Sequence, residues 1–181
     1  MMSRVASTAS IRPVWRRFRH NRRGSAAVEF ALVAPVFFAL LFAIIETGII
    51  FFAGQILQTV ATESARTILT GQTQTAGLTQ AQFQSNVVCP LIPALLTCAN
   101  LYVDVETSSS FSGLALNNEV VNGVFQSTSM AYNPGGPGDV VVLRLYYQWP
   151  LFVTGLGYNT SNLANGQRLL TAAAAFRNEP Y

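Results

Sequence analysis

The stretch RRGSAAVEFALVAPVFFALLFAIIETGIIFFAG, residues 22–54, decides how the rest of the chain is read. No charged residue occurs from 30 to 45, and beyond Glu46 the chain stays apolar through Ile49, Ile50, Phe51, Phe52 and Ala53. As a helix, residues 30–53 extend about 36 Å, enough to cross a hydrocarbon core of about 30 Å with some tilt. Pro35 can kink such a helix, which membrane helices tolerate.

On the N-terminal side of this run, residues 1–23 hold seven Arg (Arg4, Arg12, Arg16, Arg17, Arg19, Arg22, Arg23) and no acid. The chain has no Lys, and its first carboxylate is Glu29. From Ser25 onward four Arg face eight carboxylates, a net −4, so the formal +3 of the whole 181-residue chain describes a basic leader on an acidic body. Half of the residues are hydrophobic and 10% are charged. A typical soluble domain is about 25% charged, so the composition argues against a freely soluble cytosolic protein and against disorder. A basic arm could neutralise nucleic-acid phosphates, but that needs a folded basic surface and nothing downstream supplies one. An acid-poor start could also be an organellar transit peptide. The uncharged run that follows selects a third reading, an Arg cluster that holds the N-terminus of a membrane helix on the cytoplasmic side.

A cleaved secretory signal would have an apolar core of about 7–15 residues, shorter than this run. The next stretch, GQILQTVATESARTIL at 54–69, keeps helical apolar spacing at Ile56, Val60, Ser64 and Ile68, flanked by Leu57, Ala61 and Ala65. Glu63 and Arg66 can pair on the exposed side. The helix is therefore expected from about Ala26 to Leu69, about 65 Å long. Half of it would lie in lipid and half would stand out as an amphipathic stalk on which a domain can pack.

The junction RRGSAAVEFALVAP resembles a type IV prepilin processing site. That resemblance implies a prepilin peptidase cutting between Gly24 and Ser25, with Arg19, Arg22 and Arg23 keeping the bond out of the bilayer. Cleavage would free an α-amine at Ser25, mostly protonated at neutral pH. A carboxylate in an apolar helix costs several kcal/mol unless paired, and in the pilin mechanism Glu29 meets the Ser25 amine of its own or a neighbouring subunit. The plainer alternative places Glu29 near the headgroups. Glu46 is the second intramembrane acid, about 100° around the helix from Glu29, so the two do not form one paired-acid site. It is either a functional group or a residue near the outer interface or facing another subunit.

More widely, RRGSAAVEFALVAPVFFALLFAIIETG, the helix end ESARTILTG, the central FQSNVVCPLIPALLTC and the tail segments VVVLRLYYQWPLF and RLLTAAAAFRNEPY resemble a TadE-like protein of the tight-adherence (Flp, type IVb) pilus system. TadF-like relatives are of similar size. The resemblance implies a minor pilin or pseudopilin, processed by a prepilin peptidase and needed for pilus assembly. Its expected partners are the inner membrane, that peptidase, other pilins or pseudopilins and pilus assembly proteins. Nucleic acid, a small-molecule substrate and cofactors are not expected. An uncleaved single-span anchor presenting a periplasmic interaction domain is the alternative.

The organisation expected is a cytoplasmic leader at 1–24, a transmembrane and stalk helix at 25–70, a polar linker at 71–85 turning helical from Thr79, and a periplasmic α+β domain at 86–181. LYVDVE at 101–106 alternates in the manner of a strand, and VVVLRLYYQW at 140–149 is β-branched and aromatic. NPGGPGD at 133–139 is a loop by composition. Residues 167–177 are ambiguous between an Ala-rich helix and an alternating strand, and the strand is chosen because the others need a partner and the TadE-like resemblance implies the same. The expected fold class is α+β, pilin-like, with one long N-terminal helix packed on a small antiparallel sheet.

Cys89 and Cys98 are the two cysteines; their spacing is not that of a zinc site, and an oxidising periplasm favours a disulfide. No catalytic set is visible: the single His, His20, lies in the leader, and a phosphate-binding loop with Lys is impossible without Lys. Asp104 and Glu106 share one strand face and are read as solvated surface charge rather than as a catalytic acid pair. Asn159-Thr160-Ser161 matches a glycosylation sequon, a common chance match.

Overall fold

The computed structural model describes residues 24–113, 118–155 and 158–181. The basic leader at 1–23, including His20, lies outside the described residues. Helix α1 (Ser25–Leu69) runs through Pro35 and carries every residue of the apolar run. The chain divides into two compact units between Leu41 and Phe42. In the first, the described part of α1 leaves its large apolar side chains uncovered, among them Phe30 (68% exposed) and Leu32 (73%). The helix is long and apolar enough to cross a membrane.

In the second unit one stripe of α1 is buried: Ala43, Glu46, Ile50, Ala53, Leu57, Val60, Ala61, Ser64, Ala65 and Ile68. The steps of three and four residues put these on one helical face. That face lies on an antiparallel sheet ordered β1-β4-β5, made of β1 (Leu101–Ser108), β4 (Val140–Trp149) and β5 (Arg168–Arg177). In register, Val103 pairs with Leu145 and Leu145 with Ala172. Side chains alternate along each strand, so Leu101, Val103, Val105, Leu143, Leu145, Tyr147 and Ala172 point to α1 and form the main core. The ambiguity at 167–177 is thereby resolved as strand: its alternating residues pair along the whole of β4, and small Ala side chains let α1 approach the sheet.

Between α1 and β1 the chain forms short helical turns: α2 (Gln72–Thr75), α3 (Gln80–Phe83), a π-turn (Gln84–Val88) and a 3₁₀ turn (Cys89–Leu91). Thr79 caps α3 in a reciprocal capping box with Gln82, and Phe83 is fully buried behind it. Gly71 ends α1 with φ +74, and a Cβ there would collide with the Tyr181 ring. The Glu179 N–H donates to the Leu69 carbonyl (3.0 Å), so the last residues of the chain are tied to the end of α1.

The outer face of the sheet is covered as well. β2 (Val120–Val121) and β3 (Val124–Phe125) form a small hairpin whose turn residues Asn122 and Gly123 both have positive φ. Tyr146, Leu163 and Leu169 form a second core there, with Tyr102, Phe125 and Met130 packed on it. Phe125 stacks edge-on against Tyr102 and tilted against Tyr146.

Candidate functional site

The sequence-predicted residues fall into separate places. At the start of α1, the Ser25 hydroxyl donates to Glu29 Oε1 (3.1 Å), with both side chains exposed. The pair is one helical turn apart, the spacing at which side chains on one face meet. Among the described residues, a Cβ on Gly24 would meet nothing within 4 Å.

Glu46 faces its own domain rather than standing free on the helix. It is 5% exposed, and its carboxylate accepts the backbone N–H of Phe152 (2.6 Å) and of Val153 (3.2 Å). The next residue, Thr47, donates to the Ala43 carbonyl and is hydrogen-bonded to the Tyr158 hydroxyl. The loop after β4 is thus fastened to α1 at Phe152 and Val153 and again at Tyr158. Two backbone donors supply what a buried carboxylate needs in place of water.

Cys89 and Cys98 are joined in a disulfide with Cα atoms 5.6 Å apart. It closes the loop CPLIPALLTC, and next to it the Thr97 N–H donates to the Tyr147 hydroxyl (3.2 Å). The bridge thus sits at the end of the sheet where β1 begins and β4 ends.

The expectation that Asp104 and Glu106 are solvated surface charge is overturned. Asp104 is fully buried, and across the β1–β4 register it faces Arg144, itself 6% exposed. Arg144 Nε donates to Asp104 Oδ2 (2.8 Å), and Nη2 pairs with Glu106 and, at 3.6 Å, with Glu119. Asp104 Oδ1 accepts the Ala131 N–H (2.7 Å), and the Ser129 hydroxyl donates to Glu119 Oε2. The alternation of β1 was read correctly, but the segment 118–132 lies over the face that the alternation alone assigns to solvent. β4 held the signal, since a strand whose only charge is Arg144 in an otherwise near-continuous apolar run is one buried on both faces.

Burial pushes the Glu106 carboxyl above its ordinary value; Arg144 opposes this, while Asp104 and Glu119 reinforce it. Burial likewise raises Tyr146 and Tyr132, each to about 12, with Arg144 acting the other way on Tyr146. The oxygens of Asp104, Glu106 and Glu119 lie within 4.8 Å of one another, a spacing that could hold a cation. The Arg144 guanidinium already touches all three, so the cluster has its positive charge built in. It is suited to tying β1, β4 and the covering segment together.

Residues 24–66 match the family model of TadE-like proteins. The match begins at Gly24 and runs along α1 to its last turn. No curated protein and no solved structure matches the chain.

Proposed function

We propose that this chain is a minor pilin or pseudopilin that takes part in assembling a bacterial tight-adherence (Flp) pilus. It is made as a precursor in the inner membrane, with residues 1–24 on the cytoplasmic side and the sheet domain in the periplasm. A prepilin peptidase cuts between Gly24 and Ser25, and α1 then serves as the docking helix toward other pilus subunits. The role is structural, without a catalytic step. The observation that carries this reading is the coincidence of the TadE-like match with the basic-to-apolar junction: it starts at Gly24, where the resemblance to a processing site places the cut.

The geometry at Ser25 suits the role proposed for Glu29. Before cleavage the Ser25 hydroxyl meets the Glu29 carboxylate. Afterwards a protonated amine stands on the same residue, one turn from that carboxylate, and can meet it or the Glu29 of a neighbouring subunit. Either pairing neutralises an acid that would otherwise be costly in lipid.

The test is the N-terminal mass of the full chain isolated from membranes of cells that hold the matching peptidase, beside a Gly24→Ala variant. A mature chain starting at Ser25, lost in the variant, is expected. An intact N-terminus in cells that process other prepilins would overturn the reading and leave an uncleaved anchor that presents an interaction domain.

A further inference from the structure

On the reading that α1 crosses a membrane, we propose that the loop following β4 is seated in the bilayer interface. Phe152 enters the leaflet that faces the domain, and Glu46 acts as the clip that sets the depth. A helical span needs about twenty residues. Counted from Ala26, just past the Arg cluster, that length ends at Ile45; counted from Phe30, where the uncharged run begins, it ends at Ile49. Glu46 therefore lies within one helical turn of the outer boundary on either count. Its carboxylate holds the Phe152 and Val153 N–H groups. The loop is therefore bound to α1 where hydrocarbon gives way to headgroups. The hydrogen bonds hold its backbone inward, and the Phe152 ring is left outside, 80% exposed. On the helix itself Phe51 and Phe52 are also uncovered.

The distribution of charge selects lipid as the occupant. No charged residue occurs at 47–62, 67–103 or 145–167. These segments converge on one end of the domain, because Leu101 at the start of β1 pairs with Tyr147 near the end of β4. The disulfide loop lies there too, with Leu91 and Leu95 exposed. Tyr158, half-buried against Thr47, also stands at this end, a residue type that favours the membrane–water boundary. The carboxylates of Asp104, Glu106 and Asp139 lie further along the strands or at their other end. Among the described residues the charges at this end are Glu46, whose carboxylate is held by the loop, and Arg168, which pairs across the register with Trp149 and donates to the Thr160 carbonyl. An otherwise uncharged end with one cation at its edge fits a lipid surface with anionic headgroups. A second protein subunit would leave the same end dry without contact to acyl chains, and the test distinguishes the two.

The full chain is reconstituted into phosphatidylcholine–phosphatidylglycerol vesicles with one nitroxide label at Phe152→Cys, at Phe37→Cys within the span, or at Ser110→Cys beyond the far end of β1. The native cysteines are paired and do not take label. Collision with oxygen against a water-soluble nickel complex reports depth. We expect the labels at 152 and 37 to lose contact with nickel and collide with oxygen, and the label at 110 to do the reverse. A label at 37 in lipid with one at 152 behaving like 110 overturns the proposal while the span stands. Labels at 37 and 152 both behaving like 110 overturn the span and the proposal together. Adding Glu46→Ala is expected to return nickel contact to the label at 152; unchanged depth would remove Glu46 from the role.

Discussion

Arg144 is the residue on which most of the buried charge depends, since Asp104, Glu106 and Glu119 converge on its guanidinium. Removing one partner of a buried ion pair costs about 3–5 kcal/mol, because the remaining charge is left unpaired. Arg144→Met, of similar reach, leaves three carboxylates together and should lower the stability of the full chain in detergent by at least that range. Thermal or denaturant unfolding would measure it, and a loss below about 1 kcal/mol would sink the assignment. Glu106 works in the opposite sense. Burial, aided by Asp104 and Glu119 and opposed by Arg144, raises its carboxyl above 4.5, so the folded chain holds this proton more tightly than the unfolded one. That contribution is present below the ordinary carboxylate range and is lost as pH rises through the raised value. Relative to Glu106→Gln, the native chain should therefore lose melting temperature as pH rises from the ordinary carboxylate range through the raised value. A difference that stays constant as pH rises out of the ordinary carboxylate range to neutrality would show that Glu106 does not titrate as its surroundings require.

At the scale of elements, the disulfide is the simplest part to test. Bridging Cys89 and Cys98 closes a ten-residue loop, which in the chain-entropy account contributes about 2.7 kcal/mol. Reduction, or a paired Cys89→Ala and Cys98→Ala change, should lower stability by about 2–3 kcal/mol, read as a fall in the unfolding midpoint. No change in midpoint would mean that the loop is held by Leu96 and the Thr97–Tyr147 contact alone. Sequence pattern recovered α1 by its long apolar run and the helical spacing of its second half, β1 by alternation and β4 by β-branched and aromatic content. β5 is ambiguous on periodicity and is assigned as a strand because the other strands need a partner. The pattern missed the β2–β3 hairpin, although VVNGVF at 120–125 carries the Asn-Gly signal that a tight hairpin turn requires. That miss propagated to the charged site. Without the covering hairpin, Asp104 and Glu106 read as a solvent face, and the partner that neutralises them lies 40 residues away from Asp104 in sequence. The Glu46 clip was equally out of reach, because its partners are backbone N–H groups on a distant loop and no residue type announces them. Ser25 and Glu29 were legible because their contact is local, one turn of helix apart.

At the scale of the whole molecule, two features could hold the chain to a membrane, and they respond differently to salt. The seven leader Arg would attract anionic headgroups by about 1 kcal/mol each, an attraction screened within about 10 Å at 0.1 M salt. The apolar run of α1 is held by the hydrophobic effect, which salt does not screen. If α1 spans the bilayer, the full chain should stay in the membrane fraction through high-salt and alkaline carbonate washes. The cut proposed between Gly24 and Ser25 sharpens the test, because it removes all seven of those Arg and changes the formal charge from +3 to −4. The processed chain should focus at a markedly more acidic pH than the precursor yet pellet with membranes just as completely, since everything from Ser25 to Leu69 remains. Fractionating both forms on membranes, followed by isoelectric focusing, reads anchoring and processing in one experiment. Release of the processed form by salt alone would mean that the leader had held the protein and that the apolar run does not cross the membrane. Retention with an unshifted focusing point would mean that the span stands and the cut does not occur.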